Sequence, residues 1–108
     1  MPMATELTTG DFIETLMRNT GLLLVMFWER RDDMTRIMTR SAESFVEQSD
    51  GRVGLATVDA KANPDLTCRY RIRSFPTMLV FRKAERVNSL TGGITEVELA
   101  RELDSLVA

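Results

Sequence analysis

A continuous apolar run, Leu-Leu-Leu-Val-Met-Phe-Trp, fills positions 22 to 28 of the 108-residue chain. Gly21 precedes this run, and the charged sequence Glu29-Arg30-Arg31 follows it. The run is far too short to span a bilayer, because a membrane helix needs about 20 apolar residues. A short apolar segment with these boundaries is typical of a strand buried on both faces. It therefore favours an α/β fold with a covered central sheet.

The segment before this strand has the spacing of an amphipathic helix. Its apolar residues are Phe12, Ile13, Leu16 and Met17. A weak capping box between Thr8 and Asp11 marks the start of the helix. The Asn19–Gly21 sequence favours its end, because Asn and Gly accept the left-handed conformation of a helix C-terminus.

The segment after the charged turn predicts a longer helix, from Asp33 to about Ser49. Asp32 is placed to be its N-cap, because a carboxylate accepts hydrogen bonds from the unpaired N–H groups of the first turn. One stripe of this helix is expected to face the core. It consists of Met34, Ile37, Met38, Ala42 and Phe45, with Ser41 as its only polar member.

The remaining segments predict three strands, a short helix and a final helix. The strands are Val53–Val58, Thr77–Phe81 and a weaker Val87–Thr91, and the short helix runs from Asn63 to about Tyr70. The charged stretch Arg82–Arg86 is interpreted as a hairpin turn, and Met3–Leu7 as a further edge strand. A capping box at Thr95 and Glu98 opens the last helix. The order predicts one domain over residues 1–108, with a central mixed sheet of four to five strands and helices on both faces.

Composition disfavours several classes of function. The net charge of -2 gives no basic field for nucleic acid, and the chain has no histidine and one cysteine. An internal disulfide is therefore impossible, and a structural zinc site is disfavoured. Gly92-Gly93 lacks the Lys and Ser/Thr of a phosphate-binding loop. We expect no metal or other cofactor. The N-terminus lacks the features of a signal peptide, so we expect a cytoplasmic protein without membrane contact.

Several short motifs occur in a familiar order along the chain. They are Phe27-Trp28, Val58-Asp59, Asn63-Pro64, Tyr70-Arg71-Ile72-Arg73-Ser74-Phe75-Pro76-Thr77, Leu79-Val80-Phe81 and Gly92. With them the chain resembles the thioredoxin family over nearly its whole length. The resemblance implies a thioredoxin fold in which the Phe75–Pro76 bond is cis and lies against the active-site turn.

The chain departs from the family pattern where the family has its chemistry. The Trp-Cys-Gly-Pro-Cys turn is replaced by the sequence Arg-Asp-Asp-Met-Thr, so Asp32 and Thr35 stand where the family has cysteines. Met26 replaces the family's buried acid, and Thr57 replaces its lysine neighbour. The dithiol cycle of the family needs two adjacent thiols. The resemblance therefore implies that dithiol–disulfide oxidoreductase activity is lost.

The resemblance also implies a shallow groove that binds extended polypeptide. Its residues here are Trp28, Arg31, Asp32, Ser74, Phe75, Pro76, Gly92 and Gly93. The first hypothesis is a redox-inert protein that binds a protein or peptide in this groove, with a chaperone, assembly or scaffold role. In that hypothesis Asp32 imitates a thiolate; the alternative is that Asp32 is only a helix cap and that Trp28 and Pro76 only hold the fold.

Cys68 supports a hypothesis of a different class. Arg69, Arg71 and Arg73 lie near it in sequence, and cationic neighbours favour a thiolate. The chain would then be a weak single-thiol oxidoreductase or a redox sensor. The alternatives are an ordinary, unreactive thiol and a stability-only module without a groove ligand.

Overall fold

The computed structural model describes residues 4–107, which form a five-stranded sheet and four helices. The strands are β1 (Ala4–Glu6), β2 (Leu22–Trp28), β3 (Val53–Asp59), β4 (Thr77–Arg82) and β5 (Glu85–Thr91). The helices are α1 (Phe12–Arg18), α2 (Asp33–Gln48), α3 (Pro64–Arg69) and α4 (Glu96–Val107). No helix within residues 4–107 combines the length and the apolar character needed to cross a membrane.

The strand order is β1-β3-β2-β4-β5, so the apolar run of β2 lies at the centre of the sheet. Strands β1 and β2 both run parallel to β3, whereas β4 runs antiparallel to β2 and β5 antiparallel to β4. The predicted mixed sheet is confirmed. Strand β1 occupies the middle of the predicted edge strand, of which Met3 lies outside the described residues.

Two hydrophobic clusters cover the two faces of the sheet. One joins Phe12 of α1 and Leu66 of α3 to the β2 residues Leu23, Val25 and Phe27. The other joins α2 and α4 to the alternate β2 residues; its members from these three elements include Leu22, Leu24, Met26, Met38, Ala42, Phe45, Leu99 and Leu103. Since successive side chains of a strand point to opposite faces, both sets must be apolar. This explains the continuous run.

Two predicted helix stripes are too wide. In α1, Phe12 and Leu16 are buried, but Ile13 and Met17 are 47% and 52% exposed. Residues four apart on a helix share one face, so this seven-residue helix buries only a narrow stripe. In α2, Met38 is buried, as are Ala42 and Phe45, whereas Met34 and Ile37 are 50% and 43% exposed. Thr35 in the first turn is also buried, so Met34 and Ile37 lie on the exposed flank of the buried stripe.

Of the two predicted capping boxes, the one at α4 forms completely and the one at α1 only in part. At α4, the Thr95 Oγ1 accepts from the Glu98 N–H at 3.2 Å, and the Glu98 carboxylate accepts from the Thr95 N–H at 2.9 Å. This capping box is confirmed. The box predicted for α1 forms only in part. The Thr8 N–H donates to the Asp11 carboxylate, but the N-cap of α1 is Asp11, and no side-chain bond caps this helix.

The predicted hairpin turn is shorter than expected. Strand β4 extends to Arg82 and strand β5 begins at Glu85, which leaves only Lys83 and Ala84 in the turn. Lys83 has a φ of 58°, a conformation that a tight two-residue connection requires. A register shift between Val80 and Phe81 then introduces a bulge in the β4–β5 pair. This bulge determines which side chains of β5 reach each face.

Candidate functional site

The charged turn between β2 and α2 is built around the side chain of Asp32. Its Oδ1 accepts a hydrogen bond from the Thr35 N–H at 2.9 Å, which makes Asp32 the N-cap of α2, as predicted. This bond to the Thr35 backbone, helped by the Thr35 side chain, lowers the pKa of Asp32. Asp32 and Thr35, which stand where the thioredoxin family has cysteines, are therefore joined by the hydrogen bond that caps α2.

Arginine side chains fix the outer surface of this turn. The Arg31 guanidinium lies over the Trp28 ring, with its central carbon 4.4 Å from the ring centroid. Such a contact is favourable because the ring face is electron-rich. The Arg36 guanidinium donates to the Arg31 carbonyl at 2.7 Å and pairs with Asp33. Trp28 is half-buried, whereas the charged groups of the turn are exposed.

The segment Ser74–Pro76 forms a second part of the site. The Phe75–Pro76 peptide bond is cis. The Thr77 hydroxyl donates to the Ser74 carbonyl at 2.6 Å, and the Pro76 carbonyl accepts from the Gly92 N–H at 3.0 Å. The second of these bonds places the loop after β5 beside the proline loop.

Two glycines bring the loop after β5 against the start of α2. A Cβ atom on Gly92 would lie 3.3 Å from the Met34 Cε, and one on Gly93 would lie 3.6 Å from the Met34 Cα and 3.5 Å from the Ile37 Cδ1. Gly92 also has a φ of 82°, which other residues rarely adopt. The structure thus juxtaposes the first turn of α2, the proline loop and the Gly92-Gly93 loop.

Sequence reasoning assigned Ile37 to the core and left it out of the site. Its position, one turn after Met34, placed it on the apolar stripe of α2. The structure instead leaves Met34 and Ile37 exposed at the edge of the site, beside the glycines. The adjacent Gly92-Gly93 pair was the available signal, because two small residues allow a helix to approach closely.

The strand beneath the turn carries no ionisable group. Met26 is buried and lies opposite Thr57 of β3 and Met78 of β4. The Thr39 hydroxyl lies 3.5 Å from the Met26 sulfur. An apolar side chain at this position avoids the cost of burying a carboxylate without a partner.

Cys68 lies apart from the turn, on α3, and is exposed. It lines a cavity of about 610 Å³ together with Lys61, Arg71 and Arg73. The structure thus brings three cationic residues and one carboxylate, Glu29, to the same cavity as the thiol. Within residues 4–107, no three Cys, Asp or Glu side chains are grouped as metal ligands would be.

Comparison with known proteins gives the family of the chain. The family model described as Thioredoxin matches residues 3–105. The chain belongs to the thioredoxin family. As a thioredoxin-family member it is 27% identical over 104 residues to Thioredoxin 1 of Synechococcus elongatus, with 96% of this chain and 97% of that protein covered.

Two further relatives place this family member among thioredoxin-like domains of different proteins. It is 28% identical over 99 residues to the thioredoxin of Buchnera aphidicola subsp. Acyrthosiphon pisum, covering 92% of each chain. It is 33% identical over 104 residues to the human protein disulfide-isomerase A6, but spans only 24% of that longer protein. The chain is thus a thioredoxin-family member whose single cysteine, Cys68, lies outside the turn after β2.

Proposed function

We propose that this chain is a redox-inert member of the thioredoxin family that binds an extended segment of a protein partner. The binding site is the groove formed by Trp28, Arg31, Asp32, Ser74, Phe75, Pro76, Gly92 and Gly93, with Met34 and Ile37 at its edge. The proposed role is that of a chaperone, an assembly factor or a scaffold subunit. A cytoplasmic location stays a prediction, which fractionation of the source cells tests.

One observation carries the proposal: the backbone of Phe75, unpaired among the described residues, precedes Pro76, whose carbonyl is bonded to Gly92, and Gly92 lies next to the exposed Met34. Within residues 4–107, neither the N–H nor the carbonyl of Phe75 has a hydrogen-bond partner, whereas the neighbouring Pro76 carbonyl is paired with Gly92. An extended peptide can use such free backbone groups to pair as an added strand. Met34 and Ile37, both about half exposed, offer apolar contacts to its side chains. Methionine adapts well to ligands of different shape.

The same turn gives no support to dithiol chemistry. Asp32 and Thr35 hydrogen-bond to each other, and neither has a sulfur atom. A capping carboxylate keeps a negative charge at the helix N-terminus under both oxidising and reducing conditions. Partner binding in this groove is therefore expected to be independent of redox state.

Capture of the partner from a lysate of the source organism tests this proposal. The natural protein should retain a specific partner with either oxidant or reductant present, and Arg31→Glu and Met34→Asp should lose it. Val97→Asp and Arg101→Glu are matched controls, because both residues are exposed on α4, and they should retain the partner. Retention by all four variants would place the interface elsewhere and overturn the groove proposal.

A second candidate function uses the thiol of Cys68. The exposure of Cys68 at a cavity that Lys61, Arg71 and Arg73 also line favours it, because a reagent or a partner thiol can reach the sulfur there. In this alternative the chain is a weak single-thiol oxidoreductase or a redox sensor. Disulfide reductase activity that disappears in Cys68→Ser would support it. A reaction with a thiol reagent no faster than that of a free model thiol would exclude it.

A further inference from the structure

A concave surface lies on the β4–β5 end of the sheet, on the face covered elsewhere by α1 and α3. It forms an open cavity of about 600 Å³. Its floor includes Leu79 and Phe81 of β4, and its wall is the Arg69–Ser74 segment, which begins at the last residue of α3. Volumes of about 300 to 1,000 Å³ are usual for sites that bind small molecules.

The hairpin register determines which β5 side chains reach this cavity. Ser89 lies opposite Leu79, and Thr91 lies opposite Thr77, so these hydroxyls share the face of the cavity floor. The bulge after Val80 then places Arg86, rather than the residue that a regular ladder would provide, opposite Phe81. Arg86 therefore lines the cavity across from the α3 wall.

All of the charged side chains that line the cavity are cationic. Four arginines line it, Arg69, Arg71, Arg73 and Arg86, and its lining contains no Asp or Glu. The two ion pairs within residues 4–107 involve other residues, Arg18 with Glu14 and Arg36 with Asp33. The net charge of the chain is -2, so this cluster does not follow from a basic composition.

The arginine charges also affect the pKa of Tyr70, whose phenol group lines the cavity. Burial raises the pKa of Tyr70, and the guanidinium groups of Arg69 and Arg86 oppose that rise. The two arginines belong to different elements, α3 and β5, yet both influence the same side chain. This agrees with a convergence of their charges on the cavity.

We propose that this cavity binds a small molecule that carries two or more phosphate groups. The planar guanidinium group matches the geometry of phosphate oxygens and donates two parallel hydrogen bonds to them. One phosphate engages one or two arginines, so four arginines around one cavity match a ligand with several phosphates. Ser74, Ser89 and Thr91 supply neutral donors. Four arginines that line one open cavity of this volume suit a compact anion better than an extended acidic peptide.

Calorimetric titration of the full chain with pyrophosphate tests this inference. Arg86→Gln and Arg69→Gln should each raise the Kd by about tenfold or more, because a charged hydrogen-bonding partner is lost. These two arginines are chosen because Arg71 and Arg73 also line the cavity that contains Cys68. Arg101→Gln removes the same charge from an exposed position on α4 and should leave the Kd unchanged.

Further titrations distinguish a specific phosphate-binding site from a general attraction to anions. Arg86→Lys keeps the charge but loses the bidentate geometry, so it should bind pyrophosphate more weakly than the natural protein. Orthophosphate should also bind more weakly. The inference is overturned if pyrophosphate does not bind, if Arg101→Gln weakens it as much as Arg86→Gln, or if a glutamate-rich peptide of equal charge binds more tightly. Thermal unfolding of each variant verifies that the fold is intact.

Discussion

The side chain of Asp32 shows how one residue can keep the shape of a site while its chemistry changes. Its carboxylate caps α2 through the Thr35 N–H, and this bond lowers the pKa of Asp32. An anion at a helix N-terminus is favourable, because the first N–H groups of the helix lack partners. A side chain without sulfur thus satisfies the same backbone groups that a thiolate would face in the thioredoxin family.

The cap of Asp32 makes a testable contribution to stability. Because the pKa is lower in the folded state, the contribution is complete above the unfolded pKa of about 4 and is lost as the pH falls through the folded value. Asp32→Ala should therefore be less stable than the natural protein at pH 7, by a difference that shrinks towards pH 2 as the carboxylate loses its charge. Asp32→Asn should retain the cap at both values. Urea denaturation measures the difference, and one that is equal at pH 7 and pH 2 would contradict this account.

Gly21 is a residue whose identity is dictated by the backbone. Its φ is 80°, and a Cβ there would lie 2.4 Å from the Arg52 carbonyl oxygen. Gly51 has a similar φ of 83°, but a Cβ on it would meet no atom within 4 Å. Gly51→Ala should cost about 1 kcal/mol, the strain of a left-handed alanine, and Gly21→Ala distinctly more. Equal losses in thermal denaturation would show that the contact with Arg52 is unimportant.

At the scale of elements, caps stabilise helices whose packing is limited. Helix α4 buries Leu99 and Leu103, and many of its other residues are exposed. Its N-terminus is closed by the reciprocal bonds between Thr95 and Glu98. Local hydrogen bonds therefore carry part of the stability of this element.

Removal of the α4 cap should be measurable. Thr95→Ala should lower the free energy of unfolding by about 1 kcal/mol, because the Glu98 N–H loses its acceptor. Ser105→Ala is the control, since Ser105 is exposed on the same helix, and it should change stability by less than about 0.5 kcal/mol. Chemical denaturation compares the two variants, and a similar loss in both would exclude the cap as the cause.

At the scale of the whole molecule, the central strand connects the site to both hydrophobic clusters. Met26 belongs to the cluster beneath α2 and α4, and it lies under the first turns of α2 through its contact with Thr39. Introducing an acid there would bury a carboxylate among Thr57, Met78 and Thr39, which include no cation. Met26 in place of the family's buried acid therefore leaves this part of the core apolar.

Met26→Asp should destabilise the protein by about 3 kcal/mol or more at pH 7, because the buried charge has no partner. Burial would raise the pKa of this aspartate above its unfolded value, so its penalty should shrink as the pH falls. The two carboxylates act in opposite senses, because ionised Asp32 stabilises the fold whereas an ionised aspartate at position 26 destabilises it. Met26→Leu, a swap of similar volume, should cost less than about 1.5 kcal/mol at any pH. Urea denaturation at pH 7 and pH 4 compares the variants, and a penalty that does not shrink would show that the carboxyl group finds a partner.

The features that the sequence predicted best depend on neighbouring residues. The Leu22–Trp28 strand, the Asp32 cap and the α4 capping box all follow from residues within a few positions of one another. Burial of α2 was predicted less well. Helical periodicity gives the mean direction of a stripe but not its width, because the width depends on which neighbouring elements cover the helix. Met34 and Ile37 lie on the flank of a buried stripe that includes Thr35, Met38, Ala42 and Phe45.

Local spacing and residue type are enough to predict the order of strands and helices, the central position of β2 and the absence of a thiol at the turn. They do not predict that Met34 adjoins Gly92, or that Arg86 lines the same cavity as Arg69. Both contacts join residues that are distant in sequence. They depend on sheet order and on the bulge in the β4–β5 hairpin, which sums of packing energies over the whole molecule select.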